Sequence, residues 1–416
     1  METISLCMIV KDEEQYLRGC LESVKPFVDE IIIVDTGSKD GTVNIAREFE
    51  AKVFSFQWTG NFSEARNESL KHATSNWILY LDADERLVEG FRLRALTKNS
   101  KFWSYTLLIR GKAQLPSGIV EQVNAYPRLF KRHPKICFEG VVHEQIFPSI
   151  QKLGKPVGTT SVVIEHLGYG ESLERVQKKC ARNISLLELQ LKKNPKDNYA
   201  RYQIANTYVV MREYAKAEPE LRTVLSSAAE NSMKASAANL LVEIMVDRHA
   251  LTEAEFWCLQ SLKFVRNQTM ARWFLSGILA HGEKCQEALQ LLHELKNELR
   301  SKSDFTGLPH DLVLSVRQIE ERMLHCYNSL SNRAMKKNDL REAEHWIGES
   351  EDFGLRSYEI QRRGLEISLA NKDIDAACSR LTYIVDHLPA EAEPQRTKFL
   401  AIKAKLEQMT AVELSS

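Results

Sequence analysis

The 416-residue sequence is most informative at first in what it lacks. It has no net charge, because 56 Lys and Arg stand against 56 Asp and Glu. Broad binding to a polyanion such as nucleic acid is therefore not expected. The short basic runs Lys192-Lys193 and Lys336-Lys337 read as solvated helix ends. No apolar run approaches the roughly 18 residues that a membrane helix needs, so no membrane span is expected. Met1-Glu2-Thr3 lacks a basic leader, and the apolar run Ile4–Val10 is too short for a signal peptide before it meets Lys11-Asp12-Glu13-Glu14. The eight cysteines form no C-x-x-C pair, which argues against zinc fingers and disulfide scaffolds. They read as reduced, packing cysteines of a cytoplasmic chain.

Glycine is scarce beyond residue 170: twelve of the 18 lie before it. Up to that point short β-rich runs alternate with helical spacing. Strands are expected at residues 4–10, 30–34, 53–56 and 77–81, with helices at 13–24, 42–49 and 64–74 between them. Further strands are expected at 103–110, 125–130 and 162–166. Strand-helix alternation of this kind builds an α/β domain with a mostly parallel sheet.

From residue 171 the pattern is helical and repeats itself. Ala217 sits between Ile204, Ala205 and Tyr208 on one side and Leu221 and Val224 on the other. Similar offsets recur around Ala254, Ala288, Ala343 and Ala377, at spacings of 37, 34, 55 and 34 residues. The long spacing holds an insert with a turn at Gly307-Leu308-Pro309. Pro219 is expected in a first helical turn or at a kink. The aromatic set Tyr199, Tyr202, Tyr208 and Tyr214 reads as repeat core rather than a base-stacking platform. Serial helix pairs of this length resemble tetratricopeptide repeats, an all-α solenoid. The expected division is an α/β domain over 1–170, a helical connector over 171–195 and the repeat domain over 196–416.

Two carboxylate sites end strands of the first domain. Asp35 closes the apolar strand Ile31-Ile32-Ile33-Val34 and leads into Thr36-Gly37-Ser38-Lys39-Asp40-Gly41-Thr42. A carboxylate at the C-terminal edge of a parallel sheet can accept hydrogen bonds from a base N–H or a ribose hydroxyl, or serve only as a turn residue. Asp82-Ala83-Asp84 follows the strand Trp77-Ile78-Leu79-Tyr80. Such a pair can hold a hard divalent cation, which would neutralise a diphosphate leaving group.

Together, Val34-Asp35-Thr36-Gly37-Ser38-Lys39-Asp40-Gly41-Thr42, then Ala65-Arg66-Asn67, then Leu81-Asp82-Ala83-Asp84-Glu85 resemble a family 2 glycosyltransferase of the GT-A (Rossmann-like) fold. The resemblance covers about the first 40% of the chain. It implies that Asp35 contacts the nucleotide base, that Arg66 and Asp82 lie at the nucleotide sugar, and that Asp84 with Asp82 is the D-x-D pair for Mg²⁺ or Mn²⁺. Lys11-Asp12-Glu13 stands where that family commonly has Asn-Glu; Asp12 departs from it, which shifts the weight to Glu13. Arg128-Leu129-Phe130 and Val142-His143-Glu144 are similar to segments of a subset of these enzymes, with a later histidine as in Glu165-His166-Leu167-Gly168-Tyr169. Glu144 would be the general base, and His143 and His166 would ligate the metal or bond to the diphosphate.

The implied activity is inverting transfer of a sugar, a hexose, from a UDP-sugar. A GT-A domain joined to tetratricopeptide-like helices is similar in layout to sublancin-type peptide S-glycosyltransferases. The acceptor stays open between a peptide or protein side chain and a lipid-linked or surface glycan. The repeats would bind it, form a homodimer, or both. Two other readings stand beside this one: a repeat-based binding protein with a silent first domain, and a nucleotidyltransferase, which would release pyrophosphate instead of a nucleoside diphosphate. Gln268-Thr269-Met270-Ala271-Arg272-Trp273 has one residue too many for the Q-x-x-R-W motif of processive membrane synthases.

Overall fold

The computed structural model describes residues 2–115, 118–167, 173–301, 316–389 and 392–413. The expected turn at Gly307-Leu308-Pro309 and the boundary at residue 170 lie outside the described residues. The described chain divides into two compact units, Met1–Ala271 and the described part of Arg272–Ser301 with Leu314–Ser416.

In the first unit the strands β1 (Ile4–Val10), β2 (Glu30–Asp35), β3 (Lys52–Ser55), β4 (Trp77–Tyr80), β5 (Glu85–Leu87), β6 (Ser104–Leu115), β7 (Gly118–Lys131) and β8 (Val157–His166) form one sheet in the order 3-2-1-4-7-6-8-5. Pairing is parallel across β3-β2-β1-β4 and mixed beyond it, where β7 runs antiparallel to both β4 and β6. The expectation of a mostly parallel sheet therefore holds for the first half only. Strands β6 and β7 follow each other without a crossover helix, which leaves them free to pair antiparallel. The three-residue β5 is too short to show as an apolar run. It exists because it pairs with β8.

The strands are buried on both faces, and alternation sorts their side chains. Ile4, Leu6, Met8 and Val10 of β1 pack on one side with Ile31, Ile33, Trp77 and Leu79. They meet Leu17, Cys20, Leu21 and Val24 of helix α1 (Glu14–Val24) and Ile45 and Ala46 of α2 (Thr42–Glu48). Cys7, Ile32, Ile78, Tyr80 and Phe130 point to the other side, against α3 (Phe62–His72) and α5 (Phe147–Lys152). A short helix α4 (Leu93–Thr97) completes this domain.

This arrangement decides where a ligand can bind. Connections through α1 and α2 run on one face, whereas the chain returns through α3 on the other. The strand order therefore reverses between β1 and β4. In open α/β sheets that switch point, at the C-terminal strand ends, is the ligand crevice.

Helices follow: α6 (Leu173–Lys193), α7 (Asn198–Val210), α8 (Tyr214–Ser226), α9 (Asn231–Asp247) and α10 (Leu251–Phe264), all in the first unit, with α11 (Thr269–His281) beginning at its end. The second unit continues with α12 (Cys285–Ser301), α13 (Val316–Lys336), α14 (Leu340–Asp352), α15 (Tyr358–Ala370), α16 (Ile374–Asp386) and α17 (Glu393–Glu413). The repeat anchors Ala217, Ala254, Ala288, Ala343 and Ala377 fall in α8, α10, α12, α14 and α16, and each is fully buried. A methyl group is the size that lets the second helix of each pair approach its neighbours. Pro219 lies in the second turn of α8 rather than the first. Among the described residues no helix is long and apolar enough to cross a membrane.

One carboxylate ties three strand ends. Glu30 accepts from Ser5 Oγ at 2.6 Å, Lys52 Nζ at 2.8 Å and the Thr74 backbone at 2.9 Å. Burial resists its ionisation, but Lys52, Ser5 and Thr74 outweigh that and bring its pKa down to about 2. A depressed pKa contributes stability that is present above the unfolded value near 4.5 and lost as pH falls through 2. Glu30→Gln is expected to lower stability at pH 7 by about 1–3 kcal/mol. In denaturant melts the gap to the parent should shrink steadily between pH 4.5 and pH 2. A gap that stays constant with pH would show that the carboxylate charge contributes nothing.

Candidate active site

A cleft of ≈ 500 Å³ opens at the switch point. Its floor is the turn after β4. Asp82 N–H donates to Glu85 Oε2 at 2.8 Å and Glu85 N–H returns to the Asp82 carbonyl at 3.0 Å, so the turn is closed on itself. Pairing of β5 with β8 sets His166 opposite Glu85, and Leu167 N–H donates to the Asp84 carbonyl at 2.8 Å. That register carries His166 Nε2 to 3.3 Å from Asp84 Oδ2.

Beneath the turn lie two buried guanidinium groups. Arg66 of α3 donates through Nη2 to Asp82 Oδ1 at 2.7 Å and through Nε to Glu144 Oε1. Arg128 of β7 donates to Glu85 Oε1 at 2.7 Å and approaches Asp82 Oδ2 at 3.8 Å. The Tyr80 ring separates them, 5.2 Å from Arg66 and 4.3 Å from Arg128. Burial disfavours the Asp82 charge, yet Arg66 and Arg128 prevail and hold its carboxyl well below the usual range. Burial pushes the Glu85 carboxyl the other way, up, against the pull of Arg128.

The far wall is the loop from Gly140 to Glu144. A backbone bridge between Glu139 and Gln145 closes its base. Gly140 has φ +101° and His143 φ +55°; the second is a left-handed conformation that a histidine adopts at some cost. Three elements hold the loop in place. Phe62 N–H and Ser63 Oγ of α3 donate to the Val141 and Gly140 carbonyls, and Gln190 of α6 accepts from Val141 N–H at 3.1 Å. Tyr199 of α7 donates its hydroxyl to the His143 carbonyl at 2.8 Å.

Of the residues expected at the site, Glu13, Arg66, Asp82, Asp84, His143, Glu144 and His166 all line this cleft. Asp35 does not; its neighbour Thr36 does. The Asp35 carboxylate accepts from the backbones of Gly37 at 3.3 Å and Ser38 at 3.1 Å, where Gly37 at φ +105° makes the tight turn. Sequence reading assigned no role to several residues that the cleft uses. Trp58, Phe62, Lys179, Arg182 and Asn183 also line it. The last three lie on α6, read from sequence as a connector. Their i, i+3, i+4 spacing marks one helix face, which was the available signal. Tyr199, read as repeat core, supports the loop instead.

Among the described residues no three carboxylate, histidine or cysteine groups converge as a ready-made metal cage. The chemistry of the donor set still fits Mg²⁺ or Mn²⁺. Such ions bind through one or two protein carboxylates and take phosphate oxygens for the rest. Asp84 and His166 would hold the ion, since both oxygens of Asp82 face arginines.

Residues 5–100 match the family model described as Glycosyl transferase family 2. That span takes in β1 to β5 and the Asp82-Ala83-Asp84 turn, so the N-terminal region carries a glycosyl transferase family 2 domain, and helices follow it. A TPR repeat-containing protein of Synechococcus elongatus is 37% identical over 207 residues, 48% of this chain and 50% of that one. The SPbeta prophage-derived glycosyltransferase SunS of Bacillus subtilis is 30% identical over 200 residues, 47% of this chain and 46% of that one. The chain thus spans about half the length of these curated relatives. A solved glucosyl-3-phosphoglycerate synthase of Mycobacterium tuberculosis, in complex with Mn²⁺ and uridine diphosphate, aligns at 16% identity and TM-score 0.32, over 46% of this chain and 79% of that one.

Arg128 supplies a direct test of the buried network. Removing one partner of a buried ion pair leaves the other uncompensated and costs about 3–5 kcal/mol, whereas removing both is far milder. Arg128→Met is expected to destabilise the first unit by that amount in thermal or denaturant melts. The double variant Arg128→Met/Glu85→Gln should recover most of the loss. Additive single effects would contradict the pairing.

Proposed function

We propose that this chain is a metal-dependent inverting glycosyltransferase that moves a hexose from a UDP-sugar to a peptide or protein side chain in the cytoplasm. One observation carries the reading: Asp84 and His166 on one side, and Glu144 with His143 on the other, face a single cleft at the switch point of a family 2 domain. The glycosyltransferase named among the relatives supports it. Dimerisation through the repeats is part of the same proposal.

The donor lies along the β1 and β4 strand ends. Glu13 and Asp35 approach its nucleoside, Asp35 through the lone pairs its turn leaves over. Asp82, fixed by Arg66 and Arg128, approaches the sugar-nucleotide without moving. Asp84 and His166 would hold a divalent ion, which would supply charge neutralisation for the departing diphosphate. The acceptor O–H or S–H attacks the anomeric carbon from the face opposite the leaving group. Its proton passes to Glu144, the bond from the anomeric carbon to the diphosphate oxygen breaks, and that electron pair leaves with the diphosphate. Glu144 binds Arg66 through Oε1, which orients the carboxylate and leaves Oε2 to accept the proton. Burial lowers the His143 pKa and keeps its ring neutral, so it places no charge beside the base.

Release of free UDP from a panel of UDP-sugars, with Mg²⁺ or Mn²⁺, tests this. The parent is expected to release UDP slowly with water as acceptor. Asp84→Ala should abolish the metal-dependent part, and Glu144→Gln should lower turnover by about 10²–10⁴-fold with little change in UDP affinity. If no donor is turned over and calorimetry shows no nucleotide binding, the reading falls, and the repeats become the working part. Pyrophosphate in place of UDP would make the chain a nucleotidyltransferase.

A further inference from the structure

The cleft is electrically polarised along its length. At the β4 end the charges acting on His166 are Asp84, Glu85 and Asp82. Across the cleft, those acting on His143 are Glu144 and the cations Lys179 and Arg182. Both cations come from α6, and both line the cleft. Arg182 is steered there by its surroundings. Its guanidinium lies 5.2 Å over the Phe62 ring and donates to the amide oxygen of Asn183 at 3.1 Å. Asn183 is itself 8% exposed, so the anchor is firm. Phe62 stands edge-on to Trp58 at 4.7 Å. One part of the cleft lining therefore joins two aromatic rings to two cations.

Lys179 and Arg182 act on His143, the chain neighbour of the proposed base Glu144, and are not among the charges that act on His166. Resting on the transferase reading, we propose that Lys179, Arg182 and Asn183 form an acceptor subsite that recognises an anionic group, a phosphate or carboxylate, close to the acceptor nucleophile. Arg182 offers a planar fork and Lys179 a point charge, the pairing that suits an oxyanion. Trp58 and Phe62 offer an apolar shelf for the atoms between that anion and the nucleophile. The helix after the α/β domain thereby becomes a specificity element, and the acceptor is drawn toward the base by its charge.

Calorimetric titration of the metal-free full chain with inorganic phosphate reads the subsite without turnover. The parent is expected to bind phosphate. Lys179→Ala and Arg182→Ala should each weaken it about tenfold, the usual worth of one charged hydrogen bond, and Arg182→Lys should restore part of the loss. UDP affinity in Mg²⁺ should fall much less in the same variants. Absence of phosphate binding in the parent overturns the proposal. So does the reverse pattern, in which UDP affinity falls and phosphate affinity does not, because the cations then face the donor.

Matched acceptors separate the two sources of the anion. Glycerol is compared with glycerol phosphate, and a serine tripeptide flanked by alanine with one flanked by glutamate. The anionic member of at least one pair is expected to have a kcat/KM about tenfold higher, with the ratio collapsing toward one in Arg182→Ala. Equal use of both members in both pairs overturns the proposal. Lack of UDP release by the parent with every donor instead removes the transferase reading, while the phosphate titration still reports the anion site.

Discussion

Arg66 is the group on which the site depends. It is buried among Tyr80, Phe138, Asp82 and Glu144, and it reaches both carboxylates at once. A charged guanidinium so far from water is tolerated because two carboxylates face it, and their attraction outweighs the cost of burial. The consequence is mechanical as well as electrical. Asp82 belongs to the turn after β4 and Glu144 to a loop 62 residues later, and one rigid planar fork fixes the distance between them. The β4 turn and the Gly140 to Glu144 loop are thereby tied together by a single side chain on α3.

The other supports follow from that placement. Arg128 answers Arg66 from beneath, through Glu85 and Asp82, with Tyr80 between the two cations. The Gly140 to Glu144 loop has to present Glu144 to Arg66, and it does so with His143 in a left-handed conformation. Such a conformation persists only when its surroundings over-determine it. Hydrogen bonds from Ser63, Gln190 and Tyr199 provide that constraint. Two of the three donors or acceptors belong to helices beyond the sheet. Helices α6 and α7 thus help hold the loop that carries Glu144.

Much of this was legible in the sequence, for identifiable reasons. Fully buried strands read as apolar runs, so β1, β2 and β4 stand out, and the carboxylates at their C-terminal ends follow by position. The repeat anchors were legible because Ala217, Ala254 and their counterparts recur against larger apolar residues. Glu85 was hidden: it sits beside the D-x-D pair, but nothing local says that its partner is Arg128 on β7. His166 could be named, yet its approach to Asp84 depends on the β5 to β8 register, which no short-range pattern encodes. Lys179 and Arg182 look like ordinary solvated charges on an amphipathic helix, and they are exposed, yet the packing of Arg182 over Phe62 sets them at the cleft. What a sequence hides here is the pairing of distant elements, not the character of each.

Charge balance explains why these groups are arranged in this order. A donor diphosphate brings negative charge to a floor that already holds Asp82 and Asp84. Arg66 and Arg128 cancel Asp82, and they are committed to it and to Glu144 and Glu85. Neither has charge to spare for a phosphate. In the proposed reaction a divalent cation held by Asp84 and His166 would meet that deficit. At the other end the demand is opposite. Glu144, the proposed base, would repel a second negative charge arriving beside it. Lys179 and Arg182 offset that charge from the wall facing His143. On the proposed reading the cleft would separate two kinds of positive charge, an exchangeable ion for the leaving group and fixed side chains for the incoming one, with Arg66 tying Asp82 to Glu144 between them.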